Sequence, residues 1–395
     1  MRFAHMADCH LGAWRDPKMR AVNLEAFCRA IAEMIEEKVD FVLISGDLFN
    51  TSLPPLDILK TTVQKLRLLQ KKDIPVYIIA GSHDFSPSGK TILDVLEEAG
   101  LVVNVVRGDI VDGKLQLRFT EHEAGVFITG MLGRKGMLER SYYESLDISR
   151  LKGEGFKIFM FHTALEEFKP KELEKMDAAP LSLLPKGFDY YAGGHVHSPL
   201  ETSEEGYKHI VFPGPLFPNS FSELEQLKRG GYFLYDDGKI TFKPIQVYNV
   251  FTLDIDAQHR LPEQVTSDIL ERIEDKEFTH TIVLIRVSGT LEAGKPSDIG
   301  FPEIFSRLHE KSAYFVMKNT SALKSKEFEE VKLEQKSVSE MEDGLIREHL
   351  GQIKVSGDEK ALIKGLMSTL DEEKHEGERK QDFEQRILAA LDGQH

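Results

Sequence analysis

Five short segments of this chain set aspartate and histidine beside glycine, a combination suited to gripping divalent cations. They are Asp8-Cys9-His10, Gly46-Asp47, Gly81-Ser82-His83-Asp84, Phe161-His162-Thr163 and Gly194-His195-Val196-His197. Carboxylate and imidazole are hard and borderline ligands for ions such as Mn²⁺, Zn²⁺ or Fe²⁺, and glycine lets the backbone turn sharply beside them. Each segment alone says little, because Asp-x-His arises by chance and a His-x-His on a strand is more often a surface pair. The set in this order says much more. The other histidines, His5 and His122 among them, have no such neighbours and read as packing or surface residues. Cys9 lies between two candidate ligands, but on a strand its side chain points away from theirs, as a small core residue would.

Positioning these residues falls to a run of short apolar strands. Phe3–Ala7, Phe41–Ser45, Val76–Ala80, Lys157–Phe161 and Tyr190–Ala192 each end at or just before one of the five segments, and Val126–Met131 is a further strand. Helices are expected over Asn23–Lys38, Leu56–Leu69 and Thr91–Ala99. Fully apolar strands separated by helices indicate a sheet covered on both faces, and ligands of such sheets bind beyond the carboxyl ends of the strands. Gly230–Ile245 reads as a hairpin about Asp236-Asp237-Gly238.

The pattern changes after residue 248. Strands at Phe251–Ile255, Thr281–Val287 and Ala313–Met317, with helices at Pro262–Ile273 and Pro302–His309, predict a small α+β domain. Lys324–Ser339 is charged and poor in large apolar residues, as a linker would be. Two amphipathic helices follow, one carrying Leu362, Ile363, Leu366, Met367 and Leu370, the other Phe383, Ile387, Leu388 and Leu391. The expected division is 1–248, 249–335 and 336–395.

Composition sets limits on what this architecture does. The 395 residues are 41% hydrophobic and 29% charged, ordinary for a globular protein of two or three domains. A net charge of -15 argues against holding nucleic acid by a general basic surface, so any such ligand needs a local patch, bound cations or a partner. Two cysteines imply no disulfide framework and fit a reducing cytoplasm. No apolar run approaches the roughly 20 residues of a membrane span, and MRFAHMADCH lacks the apolar region of a signal peptide.

The order Asp-x-His, Gly-Asp, Gly-(Asn)-His-Asp, His, Gly-His-x-His resembles the calcineurin-like metallophosphoesterase superfamily. Within it, ADCHLG, ISGDLFN, IAGSHD and GGHVH, with the later small domain and helical tail, are similar to the SbcD/Mre-type repair nucleases. The resemblance covers nearly the whole chain. It implies a four-layer α/β/β/α sandwich with a small α+β capping domain and a C-terminal helical pair. It also implies two Mn²⁺ ions per subunit, with Mg²⁺ or another divalent metal as substitutes. Carried over residue by residue, Asp8, His10 and His197 hold one metal, His162 and His195 the second, and Asp47 bridges them. His83 matches the catalytic histidine, with Asp84 expected to orient it and raise its pKa.

Two departures stand out. Ser82 replaces the usual asparagine ligand of the second metal, and Asn50 stands where some relatives carry a histidine that handles the DNA end. The implied activity is Mn-dependent cutting of DNA, a double-strand 3'-5' exonuclease and single-strand endonuclease that processes broken ends in a nucleoid-associated, cytoplasmic setting. The implied partners are DNA, an SMC-like coiled-coil ABC ATPase docked on the C-terminal helices, and a second copy of the chain. The helix Leu56–Leu69, apolar around much of its circumference, suits that homodimer. Arg15, Lys18, Arg20 and Lys90 are candidate DNA contacts. Two other readings stay open: a metallophosphatase or phosphodiesterase acting on small phosphoesters, and a non-catalytic scaffold on the same fold.

Overall fold

The computed structural model describes residues 1–85, 91–123, 125–134, 140–149, 151, 154–169 and 177–326, with 362–363, 365–366, 369, 383 and 385–389. These fall into two compact units, Met1–Leu323 and Lys324–His395.

Two six-stranded sheets organise the first unit. One runs in the order Lys239–Ile245, Gly230–Asp236, Arg2–Met6, Phe41–Ser45, Val76–Ile79, Val103–Asn104. The other runs Leu200–Glu204, Tyr207–Phe212, Tyr190–Gly194, Phe156–His162, Val126–Gly130, Thr120–His122. The four strands from Arg2–Met6 to Val103–Asn104 are mutually parallel, as are those at 126–130, 156–162, 190–194 and 207–212. Parallel strands put all their carboxyl ends at one edge, which is how five distant segments come to face one another.

The sheets pack face to face through Phe3, Phe41, Leu43, Tyr77 and Ile79 on one side and Ile128, Ile158, Met160, Tyr190 and Ala192 on the other. Phe3 stacks on Phe41 at 4.9 Å and meets Tyr190 edge-on at 5.0 Å between ring centroids. Each fully buried aromatic of this kind contributes about 2–3 kcal/mol. The helices Pro17–Glu36, Leu56–Gln70 and Ile92–Glu98 cover the outer face of the first sheet, packing Phe27, Ile31, Ile58, Leu66 and Leu96 into a second core. The outer face of the second sheet buries Phe159, Phe161, Tyr191 and Phe212 beneath Leu117, Tyr143, Leu181 and Leu184. Its cover among the described residues is the short helix Arg140–Glu144, 3₁₀ turns, and a small sheet of Gly108–Val111, Lys114–Leu117 and Leu146–Asp147.

The first helix begins at Pro17, earlier than the expected Asn23. Asp16 accepts hydrogen bonds from the backbone amides of Lys18 and Met19, and Pro17 supplies a preset φ at the first position, a start signal that precedes the apolar stripe. Thr91 and Asp94 form a capping box before Ile92–Glu98. In the hairpin, Asp237 and Gly238 take φ of 44° and 91°, the left-handed pair that a tight two-residue turn requires.

Beyond residue 248 the chain alternates Asn249–Asp256, Pro262–Glu274, Thr281–Leu291, Phe301–Glu310 and Phe315–Asn319. The expected α+β segment is built on three mutually parallel strands with a helix in each crossover. Val265, Ile269, Ile304 and Leu308 from the helices cover one face of this sheet. Its other face, with Ile282, Leu284 and Met317, joins the core beneath the first sheet's helices. Leu323–Ser325 is a strand, so the expected linker does not begin at Lys324; the rest of that stretch lies outside the described residues.

In the second unit, Leu362, Ile363, Leu366, Phe383, Ile387 and Leu388 are helical, as their spacing predicts. Leu388 is 59% exposed. Met367, Leu370 and Leu391 lie outside the described residues. Among the described residues no helix is long and apolar enough to cross a membrane.

A buried polar bridge at His5 helps to link the sheets. His5, fully buried, pairs through Nε2 with the Ser45 hydroxyl at 2.9 Å and through Nδ1 with the Tyr190 hydroxyl at 3.1 Å. Burial holds the His5 imidazole neutral, lowering its pKa to about 3. The unfolded chain binds that proton near pH 6.5, so this group's contribution is intact above 6.5 and is lost as pH falls toward 3. The slope is about 1.4 kcal/mol per pH unit. Thermal unfolding midpoints from pH 7 to 4 are expected to fall less steeply in His5→Gln than in the natural chain; equal slopes would place the acid sensitivity elsewhere.

Candidate metal centre

The strand carboxyl ends hold their side chains by an unusual backbone. Asp8, His10, Asp47 and His195 all have positive φ, at 50°, 42°, 50° and 82°. For residues other than glycine this costs on the order of 1 kcal/mol each and persists only where surroundings enforce it. Here the first two loops are sewn together. Asp8 N–H donates to the Gly46 carbonyl at 3.1 Å and His10 N–H to the Asp47 carbonyl at 2.9 Å. Buried Asn23, on the first helix, donates its amide to the Cys9 carbonyl at 3.0 Å and accepts from Gly12 N–H at 3.3 Å. Gly46 lies against the His162 ring with φ 88°, where any Cβ would collide with that imidazole.

Asp47 sits at the centre. Its carboxylate accepts from the His83 backbone N–H at 2.8 Å and the Ser82 hydroxyl at 3.3 Å. His162 Nε2 lies 3.2 Å and His10 Nε2 3.6 Å from the same carboxylate. On one side, His10 Nε2 and His197 Nε2 face each other at 3.2 Å, and His197 Nε2 is 3.8 Å from Asp8. Three overlapping sets, Asp8-His10-His197, His10-Asp47-His83 and Asp8-Asp47-His162, each bring one ligand atom per residue within 4.8 Å. His195 donates its backbone N–H to Asp8 at 3.0 Å, and its ring lies 5.2 Å from that of His162.

The charges are set by this crowding. Burial raises the Asp8 carboxyl to about 6. Burial also pushes Asp47 up, but the His162 and His10 imidazoles win and hold it well below the ordinary carboxylate range. Burial disfavours His162 as a cation, yet Asp47 carries it up to about 10. His10 falls to about 3 and His195 to about 4, chiefly through burial, so both remain neutral and free to donate a lone pair.

The five segments therefore meet as expected, but two roles differ. Asp84 does not brace His83 through its side chain. Its buried carboxylate accepts from the backbone amides of Gly81, Leu48 and Phe49 at 3.0, 3.3 and 3.1 Å, pinning the second and third motif loops together. Burial, then Asp47, raises it to about 6. His83 instead donates from Nδ1 to the Asn50 carbonyl at 2.8 Å. A backbone carbonyl is invisible to residue type, which is why sequence reasoning assigned the task to the adjacent carboxylate.

A functional residue that the motifs do not show is Glu223, which accepts from His197 Nδ1 at 3.2 Å. A carboxylate on the far nitrogen fixes the tautomer and aims Nε2 inward. Its only trace in the sequence is Ser220-x-x-Glu223, the spacing of a helix start, where Ser220 accepts from Glu223 N–H.

Of the basic candidates, Arg20 spends its guanidinium on the carbonyls of Trp14 and Arg15 at 2.9 and 3.1 Å. Lys18 lies over the Tyr314 ring, and Arg15 is exposed. Lys90 lies outside the described residues.

The donor set fits divalent cations. His162 Nε2 is buried without a hydrogen bond of proper geometry, although carboxylate oxygen lies beside it. Two imidazole Nε2 atoms turned toward each other likewise share a cation more readily than a proton. Asp8, His10 and His197 would hold one ion, and Asp47 and His162, with Ser82 and His195 at hand, a second.

Comparison with known proteins agrees. The model of the calcineurin-like phosphoesterase family matches residues 1–199, which contain all five segments. The chain is 28% identical over 299 residues to the DNA double-strand break repair protein Mre11 of Methanococcus maripaludis, covering 70% of this chain and 75% of that protein. It is 31% identical over 249 residues to the protein of the same name from Methanopyrus kandleri, covering 60% and 54% respectively. Against that of Sulfolobus acidocaldarius it is 25% identical over 396 positions, covering 95% and 97%. A matched region spanning half of the chain, with every converging ligand inside it, makes this chain a member of the calcineurin-like phosphoesterase family.

Proposed function

We propose that this chain is a Mn²⁺-dependent DNA nuclease, a double-strand 3'-5' exonuclease and single-strand endonuclease that trims broken DNA ends. It would work as a homodimer with an SMC-like coiled-coil ABC ATPase. The observation that carries the reading is the cluster of Asp8, His10, Asp47, His162 and His197, in a chain similar along nearly its whole length to one double-strand break repair protein.

Two divalent cations, when bound, supply positive charge opposite the phosphate and an acidified water. The chain's own part is positional. Asp47 is shared between the two halves of the site, and the Glu223 carboxylate keeps His197 Nε2 turned inward. His83, with Nδ1–H held by the Asn50 carbonyl, has Nε2 free; as imidazolium it would carry on that nitrogen the proton that goes to the departing oxygen or that faces charge on the phosphate. Ser82 offers a neutral hydroxyl where an amide is usual and donates its hydrogen bond to Asp47, which weakens the second cation position. Ser82→Asn is expected to lower the Mn²⁺ concentration for half-maximal turnover several-fold; an unchanged metal dependence would remove this role.

Partner surfaces support the assembly. Leu53, before the second helix, and Leu56 and Leu68, on it, are 78%, 82% and 44% exposed, apolar side chains of the kind that a second copy would cover. Ile387 and Leu388 give the last helix an apolar side for the ATPase. With a net charge of -15, DNA is held by cations and partners as much as by Arg15, Lys18 or Lys90.

The test is linear duplex DNA, single-stranded DNA and p-nitrophenyl phosphate, each incubated with the protein and Mn²⁺ or with chelator. Metal-dependent cutting of DNA is expected. Turnover of p-nitrophenyl phosphate alone would favour a phosphatase, and silence on all three substrates would favour a scaffold.

A further inference from the structure

We infer that the short helix Phe221–Leu227 is a mechanical link through which the small parallel domain sets the position of the metal ligand His197. This rests on the metal-centre reading but not on the identity of the substrate.

Two carboxylates on this helix face opposite ways. At 100° per residue, Glu223 and Glu225 are separated by about 200° around the axis. Glu223 accepts from His197 Nδ1 at 3.2 Å, and its other oxygen accepts from Asn219 N–H at 2.9 Å. Glu225 accepts along one edge of the Arg286 guanidinium, from Nε at 2.9 and 3.0 Å and from Nη2 at 2.6 Å. Arg286 belongs to the strand Thr281–Leu291, the central strand of the small domain.

The link is stiff. Arg286 also lies over the Phe221 ring at 5.2 Å, so one side chain grips both ends of the helix's first turn. Lys228, just past the helix, donates to the Thr252 hydroxyl on the neighbouring strand of the small domain at 2.9 Å. Leu224, fully buried, anchors the helix to the main core. A bidentate pair with both side chains about three-quarters buried has a fixed geometry, unlike a solvated surface pair. A shift of the small-domain strand therefore carries Arg286, Glu225 and the helix with it, and Glu223 turns the His197 ring. Neither Arg286 nor Glu225 touches the metal donors; both are positioning residues acting through Glu223.

The experiment measures Mn²⁺ dissociation constants by chelator competition on the full chain, with thermal midpoints and ¹H–¹⁵N spectra of the histidine rings in metal-free protein. Glu223→Gln is expected to weaken one of the Mn²⁺ equilibria about tenfold or more, in the range for loss of a ligand's outer partner. Arg286→Met is expected to weaken the same equilibrium several-fold and to shift the His197 ring signals, with little change in the midpoint. The charge-swapped pair Glu225→Arg with Arg286→Glu is expected to restore most of the affinity. Unaltered Mn²⁺ affinity and His197 signals in Arg286→Met would overturn the link, as would a loss that the swapped pair fails to recover. A natural chain that binds Mn²⁺ tightly yet cuts no DNA would sink the nuclease reading and leave this link standing.

Discussion

Asp47→Asn is expected to lower Mn²⁺ affinity by at least about 100-fold and to reduce turnover to background. Loss of an outer partner alone already costs 10- to 100-fold, and the Asp47 carboxylate lies between His10 Nε2, at 3.6 Å, and His162 Nε2, at 3.2 Å. The substitution keeps the shape of the side chain, its oxygen can still accept from the His83 amide, and its NH2 can donate to the Ser82 hydroxyl, which reverses that hydrogen bond, so the fold should survive. It removes the charge that carries His162 up to about 10. In metal-free protein that raised value contributes stability that is complete below pH 6.5 and disappears as pH climbs through about 10. Asp47→Asn should make this alkaline loss smaller, so that midpoints fall less between pH 7 and 10 than in the natural chain. Titration calorimetry with Mn²⁺ and unfolding across that range check both effects. Near-natural Mn²⁺ affinity in the variant would mean that the two halves of the site do not share this carboxylate.

His83→Gln is expected to reduce kcat by about 10² to 10⁴, the usual contribution of a positioned acid, while Mn²⁺ affinity stays within a few-fold of the natural value. The geometry makes this discriminating. His83 is close enough to His10 and Asp47 to be taken for a ligand, with its ring 4.7 Å from that of His10. Its Nδ1 is engaged by the Asn50 carbonyl, and its own backbone N–H anchors Asp47, an interaction glutamine retains. A proton donor and a ligand therefore part company in the variant. Comparison of kcat with the Mn²⁺ dissociation constant decides between them: parallel losses in both would reassign His83 to the metal.

The chemistry of this protein was legible from residue types because metal ligation demands specific atoms. Only a few side chains offer them, and strands with fully apolar sequences announce where their carboxyl ends fall. Phe41–Ser45 is a strand over its whole expected length because each of its positions is buried, leaving no alternation to blur its limits. The hairpin about Asp237-Gly238 was equally plain, since few residues tolerate its left-handed turn. Boundaries slipped where capping outranked the apolar pattern, as at Asp16-Pro17.

What the sequence alone determined, then, is the inventory of donors and the parallel strands that deliver them to one edge. The tertiary structure alone decided which atom serves which. It turned Asp84 from His83 to three backbone amides, gave His83 to the Asn50 carbonyl, and brought Glu223 to His197 across 26 positions of chain. It likewise set Arg286, on the strand Thr281–Leu291, against Glu225, 61 positions away. These partnerships rest on backbone carbonyls, amides and surface-type carboxylates, which every stretch of sequence contains in excess. Only the packed chain selects among them, because a buried polar atom must find a partner within about 3 Å, and folding decides which candidates come that close.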